Sequence, residues 1–148
     1  MNNLKDYILH LDNWIPKNIC QKTIKELSSY DWKRHTWTSS QSFEQVSKNG
    51  NKELDVCYGD QLTFYNDLMN LTWKALEKYI VIDKIGGESF DAWKGFSAIR
   101  FNRYKKNQIM SKHSDHIHSL FEGEKRGIPI LSIVCVLNDN YQGGEFIM

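Results

Sequence analysis

The chain has 148 residues, of which 41% are hydrophobic and 25% charged, and its formal net charge is +1. That length suits one domain with its own core, so we expect a single domain over residues 1–148. The near-neutral charge argues against nucleic-acid and acidic-membrane binding, and no apolar run is long enough to span a bilayer. Three widely spaced cysteines and the lack of a signal-peptide pattern predict a soluble cytoplasmic protein without disulfides or a cysteine zinc site.

Two helices are predicted in the first half of the chain. The first covers residues 16–29 and begins at Pro16, whose missing N–H costs nothing in a first helical turn. Its apolar stripe consists of Ile19, Cys20, Ile24 and Leu27. The second covers residues 61–82, with Asp60 as its N-cap. Its apolar residues recur at spacings of three and four: Leu62, Tyr65, Met69, Trp73, Leu76 and Ile80. Residues 38–52, between the helices, read as a surface loop.

The second half of the chain is predicted to form strands. Residues 96–104 are β-like, and residues 130–137 form a near-continuous apolar run that is typical of a strand buried on both faces. A turn-rich loop follows at residues 138–144, and a further strand is expected to begin at Glu145. Helices followed by strands predict an α+β fold with the helices on one side of a β-sandwich.

The candidate chemistry lies in the sequence His113-Ser114-Asp115. Residues i and i+2 of a strand point to the same face, so an imidazole and a carboxylate would converge there. They are two of the three ligands in a 2-His-1-carboxylate site for non-haem Fe(II). The pattern alone is common, and His116 and His118 have the same spacing, so a histidine-rich surface loop remains an alternative.

The order of motifs in the last 50 or so residues is more specific than any one of them. It consists of Arg-Tyr at residues 103–104, His-Ser-Asp at 113–115, an apolar strand ending in Leu-Asn-Asp at 131–139, and Gly-Gly-Glu-Phe at 143–146. This order closely resembles the prolyl 4-hydroxylase-like branch of the Fe(II)- and 2-oxoglutarate-dependent oxygenases. The resemblance implies a double-stranded β-helix core, of the jelly-roll or cupin type, with the N-terminal helices packed on one sheet.

The resemblance also implies roles for individual residues. His113 and Asp115 match the first two iron ligands, and Tyr104 matches a tyrosine that helps to hold 2-oxoglutarate. The other interpretation of Tyr104 is an aromatic core residue at a strand end. Gly143 and Gly144 match a structural turn. The implied cofactors are Fe(II) and 2-oxoglutarate, with ascorbate as an optional addition.

The chain departs from the family pattern at three places. Asn107 stands where many relatives have glycine, which matters little because asparagine tolerates the left-handed conformation. Val136 stands where some relatives carry another cofactor-contacting tyrosine. The family's third ligand, a histidine, and its basic 2-oxoglutarate anchor are expected on strands after Met148. The chain is therefore expected to be C-terminally incomplete, truncated before the last strands, and inactive by itself.

The expected function is hydroxylation of a peptidyl-prolyl or similar peptide or protein substrate with O₂, giving succinate and CO₂ as co-products. Two alternatives remain: a non-catalytic binding module that keeps the fold without a complete metal site, and a histidine-rich metal-binding protein. A basic cluster beside the motif is more often a solvated face than a nucleic-acid site. Its members are Arg100, Arg103, Lys105, Lys106 and Lys112.

Overall fold

The computed structural model describes residues 3–38, 42, 44–85, 96–113 and 131–147. These residues form an α+β structure with two α-helices and small antiparallel sheets. The helices are α1 (Lys17–Leu27) and α2 (Tyr65–Glu77), and a π-helical turn (Lys78–Ile82) extends α2. The strands are β1 (Lys33–Arg34), β2 (Trp37–Thr38), β3 (Gln45–Val46), β4 (Asp55–Tyr58) and β5 (Arg100–Arg103).

A three-stranded sheet in the order β1-β4-β5 carries the core on one face. Cys57 of β4 pairs with Phe101 of β5, and both side chains are buried against the helices. The buried cluster is completed by Leu27, Leu62 and Leu68, from the end of α1, the turn before α2 and α2 itself. The expected packing of helices on one side of a sheet is therefore confirmed.

Helix α1 agrees closely with its prediction. Pro16 occupies the N-cap, one position before the first helical residue, and its carbonyl accepts the N–H of Ile19 and Cys20. At the other end, the indole N–H of Trp32 donates to the carbonyl of Leu27 at 2.8 Å. This bond satisfies a carbonyl that has no partner inside the helix.

Helix α2 begins later than predicted, with Phe64 rather than Asp60 at the N-cap. The carboxylate of Glu26, near the end of α1, accepts the backbone N–H of Thr63 at 2.9 Å and its hydroxyl at 3.1 Å. This long-range contact holds the residue before the N-cap, and the N-cap itself makes no side-chain capping hydrogen bond. The predicted stripe is borne out in part: Leu62 and Leu76 are buried, whereas Trp73 is 41% exposed, and Leu68 is buried although it was not in the stripe.

The prediction of a two-faced core strand at residues 130–137 is wrong for the part that the structure describes. Residues 131–147 pair with no strand among the described residues, and neither this run nor the strand expected from Glu145 forms. Ile133, Val134 and Val136 are exposed, whereas Leu137 packs against the core cluster. Apolar composition predicts burial only where neighbouring strands cover both faces. No barrel or sandwich closes among the described residues.

Other local predictions are confirmed or refined. Residues 38–52, predicted as a loop, contain strand β3, which pairs with β2, and the 3₁₀ turn Gly50–Lys52. Asn107 adopts a φ of 67°, and the glycines at 143 and 144 both adopt 78°. The three cysteines are free thiols. Within the described ranges, no helix combines the length and apolar character that a membrane crossing needs.

Gly59, directly after β4, lies close against two side chains of the core. A Cβ atom there would lie 2.3 Å from the Phe101 ring and 2.6 Å from Leu62 Cδ1. We expect Gly59→Ala to lower the free energy of unfolding by about 1–3 kcal/mol, the usual cost of overpacking a core. Chemical denaturation would measure the loss.

The matched control is the double variant Gly59→Ala/Phe101→Leu. Because the smaller side chain relieves part of the clash, the double variant should lose less stability than the sum of the two single variants. Strict additivity would show that the two positions do not compete for space.

Candidate functional site

The segment after β5 carries two of the predicted site residues. Tyr104 follows β5 directly and is half exposed. A tight turn follows, in which Gln108 donates its backbone N–H to the carbonyl of Lys105 at 3.0 Å and accepts the N–H of Lys105 through its side chain. Asn107 provides the left-handed residue of this turn. The turn directs the chain back across the 47–53 loop toward His113.

Two contacts dock this segment on the 47–53 loop. The backbone N–H of Ile109 donates to the carbonyl of Lys52 at 2.9 Å. The hydroxyl of Ser111 donates to Asn49 Oδ1 at 2.8 Å. The path of the chain toward the His-x-Asp motif is therefore set by a loop more than 50 residues earlier.

His113 is exposed, and its imidazole is held by its own segment. Nδ1 lies 2.8 Å from the carbonyl oxygen of Ser111. A carbonyl only accepts, so in the neutral ring Nδ1 carries the proton and Nε2 carries the lone pair. Metal-binding histidines commonly donate one ring N–H to a backbone carbonyl in this way while the other nitrogen binds the metal. The donor geometry of His113 thus fits a metal ligand.

Trp37 forms a wall beside that imidazole. Its ring centroid lies 4.9 Å from that of His113 and 4.6 Å from that of His35, both in edge-on arrangements. The ammonium group of Lys48 lies 4.3 Å from the indole centroid, a cation–π contact. Three rings from two parts of the chain, those of His35, Trp37 and His113, therefore pack in a row.

Glu53 lies beneath this row and is fully buried. Its Oε1 atom accepts three N–H groups: the indole N–H of Trp37 at 3.0 Å and the backbone N–H groups of Lys48 and Asn49, both at 2.8 Å. Burial by itself would raise the pKa of Glu53, but these donors hold the pKa below its usual value. The carboxylate is therefore charged at neutral pH although it is removed from water.

His35 completes the row on the inner side. Its Nδ1 lies 3.8 Å from Glu53 Oε2. Burial lowers the pKa of His35 and nearby Arg100 lowers it further, while Glu53 acts in the opposite direction. The imidazole is therefore neutral at pH 7, as expected for a buried histidine.

Tyr104 lies within the electrostatic influence of the positively charged Arg100. Removal from water raises the pKa of its phenol, and Arg100 on the same strand opposes that shift. The phenol therefore keeps its proton at neutral pH and is available as a hydrogen-bond donor. Within the described part of the chain, Arg100 has no salt bridge of its own.

Three basic side chains surround the buried carboxylate of Asp55. Lys105 and Arg103 each lie 3.1 Å from its Oδ2, and Arg34 lies 3.4 Å from its Oδ1. Burial would raise the pKa of Asp55, but the hydrogen bonds of Lys105 and Arg103 and the charges around them lower it overall. Two of the five residues of the predicted basic cluster, Arg103 and Lys105, therefore share a carboxylate with Arg34 of β1, and the ion pairs link β1, β4 and β5.

The remaining histidines divide into two groups. His10 is exposed and lies 3.6 Å from Asp12, far in sequence from the motif. Asp115, His116 and His118 lie outside the described residues. Among the residues that are described, no group of three or more His, Cys, Asp or Glu side chains is arranged to hold a metal ion.

Trp37, His35 and Glu53 were not identified from the sequence as neighbours of His113. His35 and Trp37 share the i, i+2 spacing that singled out His113 and Asp115, and this was the one available signal. Nothing local marks Glu53, because its burial depends on donors from a loop and a strand that meet only in the folded chain.

Asp55→Asn tests the charge cluster. The substitution leaves Arg34, Arg103 and Lys105 without their shared counter-charge, so we expect a loss of about 2 kcal/mol in unfolding free energy at pH 7. This estimate lies below the range for fully buried pairs because the cations remain partly solvated. Because the folded pKa of Asp55 is lowered, its stabilisation is present above about pH 4 and is lost as the pH falls through the folded pKa.

Urea denaturation between about pH 7 and pH 3 should therefore narrow the difference in stability between the wild type and Asp55→Asn toward the acidic end. Asp12→Asn, at a carboxylate that is 81% exposed, is the control and should change stability by less than about 0.5 kcal/mol. A constant difference between wild type and Asp55→Asn across this range would contradict the charge assignment.

Comparison with known proteins gives no match from which a function could be inferred. The chain matches no protein-family model, and no match was found among curated proteins or solved structures. The motif at residues 103–146 and the arrangement around His113 are therefore the observations on which a function can be proposed.

Proposed function

We propose that this chain forms part of an Fe(II)- and 2-oxoglutarate-dependent dioxygenase of the prolyl 4-hydroxylase-like kind. The observation that carries the proposal is the state of His113 within the His-x-Asp motif. Its Nδ1 lies 2.8 Å from the carbonyl oxygen of Ser111; in the neutral ring that nitrogen carries the proton, and Nε2 would be the metal-binding nitrogen.

In this proposal His113 and Asp115 supply two of the three protein ligands of the iron. His113 lies in a segment without strand structure, and an imidazole and a carboxylate two residues apart leave coordination positions open for the cofactor and O₂. The family's third ligand is a histidine on a later strand, and we assign that role to none of the 148 residues. The proposal includes a jelly-roll core. The exposed Ile133, Val134 and Val136 are side chains that further strands of such a core would cover.

The cofactor site in this proposal uses Tyr104 and the positive charge beside it. The protonated phenol can donate a hydrogen bond to a carboxylate of 2-oxoglutarate, and Arg100 provides a favourable field for a dianion. Fe(II) and 2-oxoglutarate, when bound, supply the oxidising chemistry that hydroxylates the substrate and releases succinate and CO₂. The protein positions these groups and excludes competing reactions. The proposed substrate is a peptidyl-prolyl or similar residue of a peptide or protein.

The first test is an anaerobic Fe(II) titration of the chain, with and without 2-oxoglutarate. We expect His113→Ala and Asp115→Ala each to weaken Fe(II) binding by more than about tenfold, because even residues that merely orient a metal ligand contribute that much. His10→Ala, at an exposed histidine paired with Asp12, is the matched control and should bind as the wild type does.

The outcomes of this titration separate the candidate functions. Tighter Fe(II) binding in the presence of 2-oxoglutarate would indicate that the third ligand lies within these residues, and the coupling must then be reciprocal. Binding that requires His113 and Asp115 but ignores 2-oxoglutarate would indicate two ligands of a three-ligand site. Binding that is indifferent to Asp115 and lost with His116 and His118 would identify a histidine-rich metal site and overturn the proposal. Absence of metal binding would favour the non-catalytic module.

Tyr104→Phe tests the cofactor contact. The variant removes one hydroxyl and keeps the ring, so we expect 2-oxoglutarate affinity to fall by about tenfold, as for a lost hydrogen bond to a charged group. Tyr141→Phe is the control, since both tyrosines are 51% exposed. Isothermal titration of the Fe(II)-loaded protein with 2-oxoglutarate would compare them. Equal losses in the two variants would remove Tyr104 from the site.

A further inference from the structure

We infer that Glu53 is a positioning residue for the imidazole of His113, which it reaches through two separate arms. The inference rests on the proposed function, in which His113 is a metal ligand. The first arm passes through the indole of Trp37, and the second passes through Asn49 and Ser111. Both arms begin at the same oxygen atom, Glu53 Oε1.

The first arm restricts the orientation of the His113 imidazole. The indole N–H of Trp37 donates to Glu53 at 3.0 Å, which sets the rotation of the indole. His35 and Lys48 contact that indole at 4.6 and 4.3 Å from its centroid, so it has little freedom to turn. The edge-on contact with His113 at 4.9 Å then limits the planes that the imidazole can adopt.

The second arm determines which nitrogen of the His113 imidazole carries the proton. Glu53 accepts the backbone N–H of Asn49 at 2.8 Å, and the Asn49 side chain accepts the hydroxyl of Ser111 at 2.8 Å. The carbonyl of Ser111 then holds His113 Nδ1 at 2.8 Å. Displacing Asn49 would shift Ser111 and release the Nδ1 proton, so the tautomer of His113 depends on a carboxylate that does not touch it.

The position of Glu53 suits this role better than a purely structural one. A buried carboxylate costs several kcal/mol unless it is well bonded, and an apolar residue could fill the same space. The three donors to Oε1 come from β2 and the 47–53 loop, the two elements against which the His113 segment rests. Glu53 therefore ties together the parts of the fold that determine where His113 lies.

The experiment measures the tautomer of His113 in the metal-free, ¹⁵N-labelled full chain at about pH 8, where neutral imidazole predominates. Imidazole nitrogen shifts distinguish the two tautomers without any metal or activity. We expect the wild type to hold the Nδ1–H form. In Glu53→Gln the tautomer ratio should shift about fivefold toward the Nε2–H form, the factor that one net hydrogen bond supplies.

Two further variants cut one arm each and keep the inference testable if Glu53→Gln does not fold. Trp37→Phe keeps a ring beside His113 but removes the bond to Glu53, and Ser111→Ala keeps the carbonyl but removes the bond to Asn49. Each should shift the tautomer ratio of His113 less than Glu53→Gln does. The double variant Trp37→Phe/Ser111→Ala should shift the ratio as much as Glu53→Gln. Trp73→Phe, on α2 against Phe96, is the matched control and should leave the tautomer unchanged.

A parallel Co(II) titration separates this inference from the proposed function. Glu53→Gln should weaken Co(II) binding about tenfold, and it should cause no further loss when His113→Ala is already present. A tautomer that responds to Glu53 without His113-dependent Co(II) binding would support the positioning and overturn the proposed function. Co(II) binding that requires His113 and Asp115 but is indifferent to Glu53, with an unchanged tautomer, would overturn the positioning and leave the proposed function in place.

Discussion

The burial of the Glu53 carboxylate is the constraint on which the region around His113 depends. A charge removed from water must be satisfied by donors, and those donors come from Trp37 and the backbone of Lys48 and Asn49. The same atom therefore closes the 47–53 loop, orients an indole and provides the surface on which the later segment docks. His35 can be buried beside it because its imidazole is neutral.

A second buried acid lies only two residues away and serves a different part of the fold. Asp55, separated from Glu53 by the fully buried Leu54, gathers Arg34, Arg103 and Lys105 across three strands. One acid thus organises loops and the other organises the sheet. Because β5 leads directly into Tyr104 and the His113 segment, the two charge clusters together set both ends of that segment.

Local signals predicted local structure well in this chain. The proline before α1, the left-handed Asn107 and the paired glycines at 143 and 144 act through their own backbone preferences, and each behaves as expected. The predictions for the start of α2 and for a strand at residues 131–137 were wrong, because both features depend on residues that are distant in the sequence. Glu26, near the end of α1, holds Thr63 in the turn before α2, and no described strand covers the apolar run.

The sequence by itself determined the α+β class, both helices, strand β5 and the candidate residues Tyr104, His113 and Asp115, because periodicity, backbone preference and motif spacing are local properties. Only the tertiary structure decided that Trp37 lies between His35 and His113, that Glu53 holds Trp37 and Asn49, and that Asp55 pairs with Arg103 and Lys105 of the basic cluster. These contacts join residues up to about 80 positions apart, and a carboxylate is buried only where the folded chain brings enough donors to satisfy it.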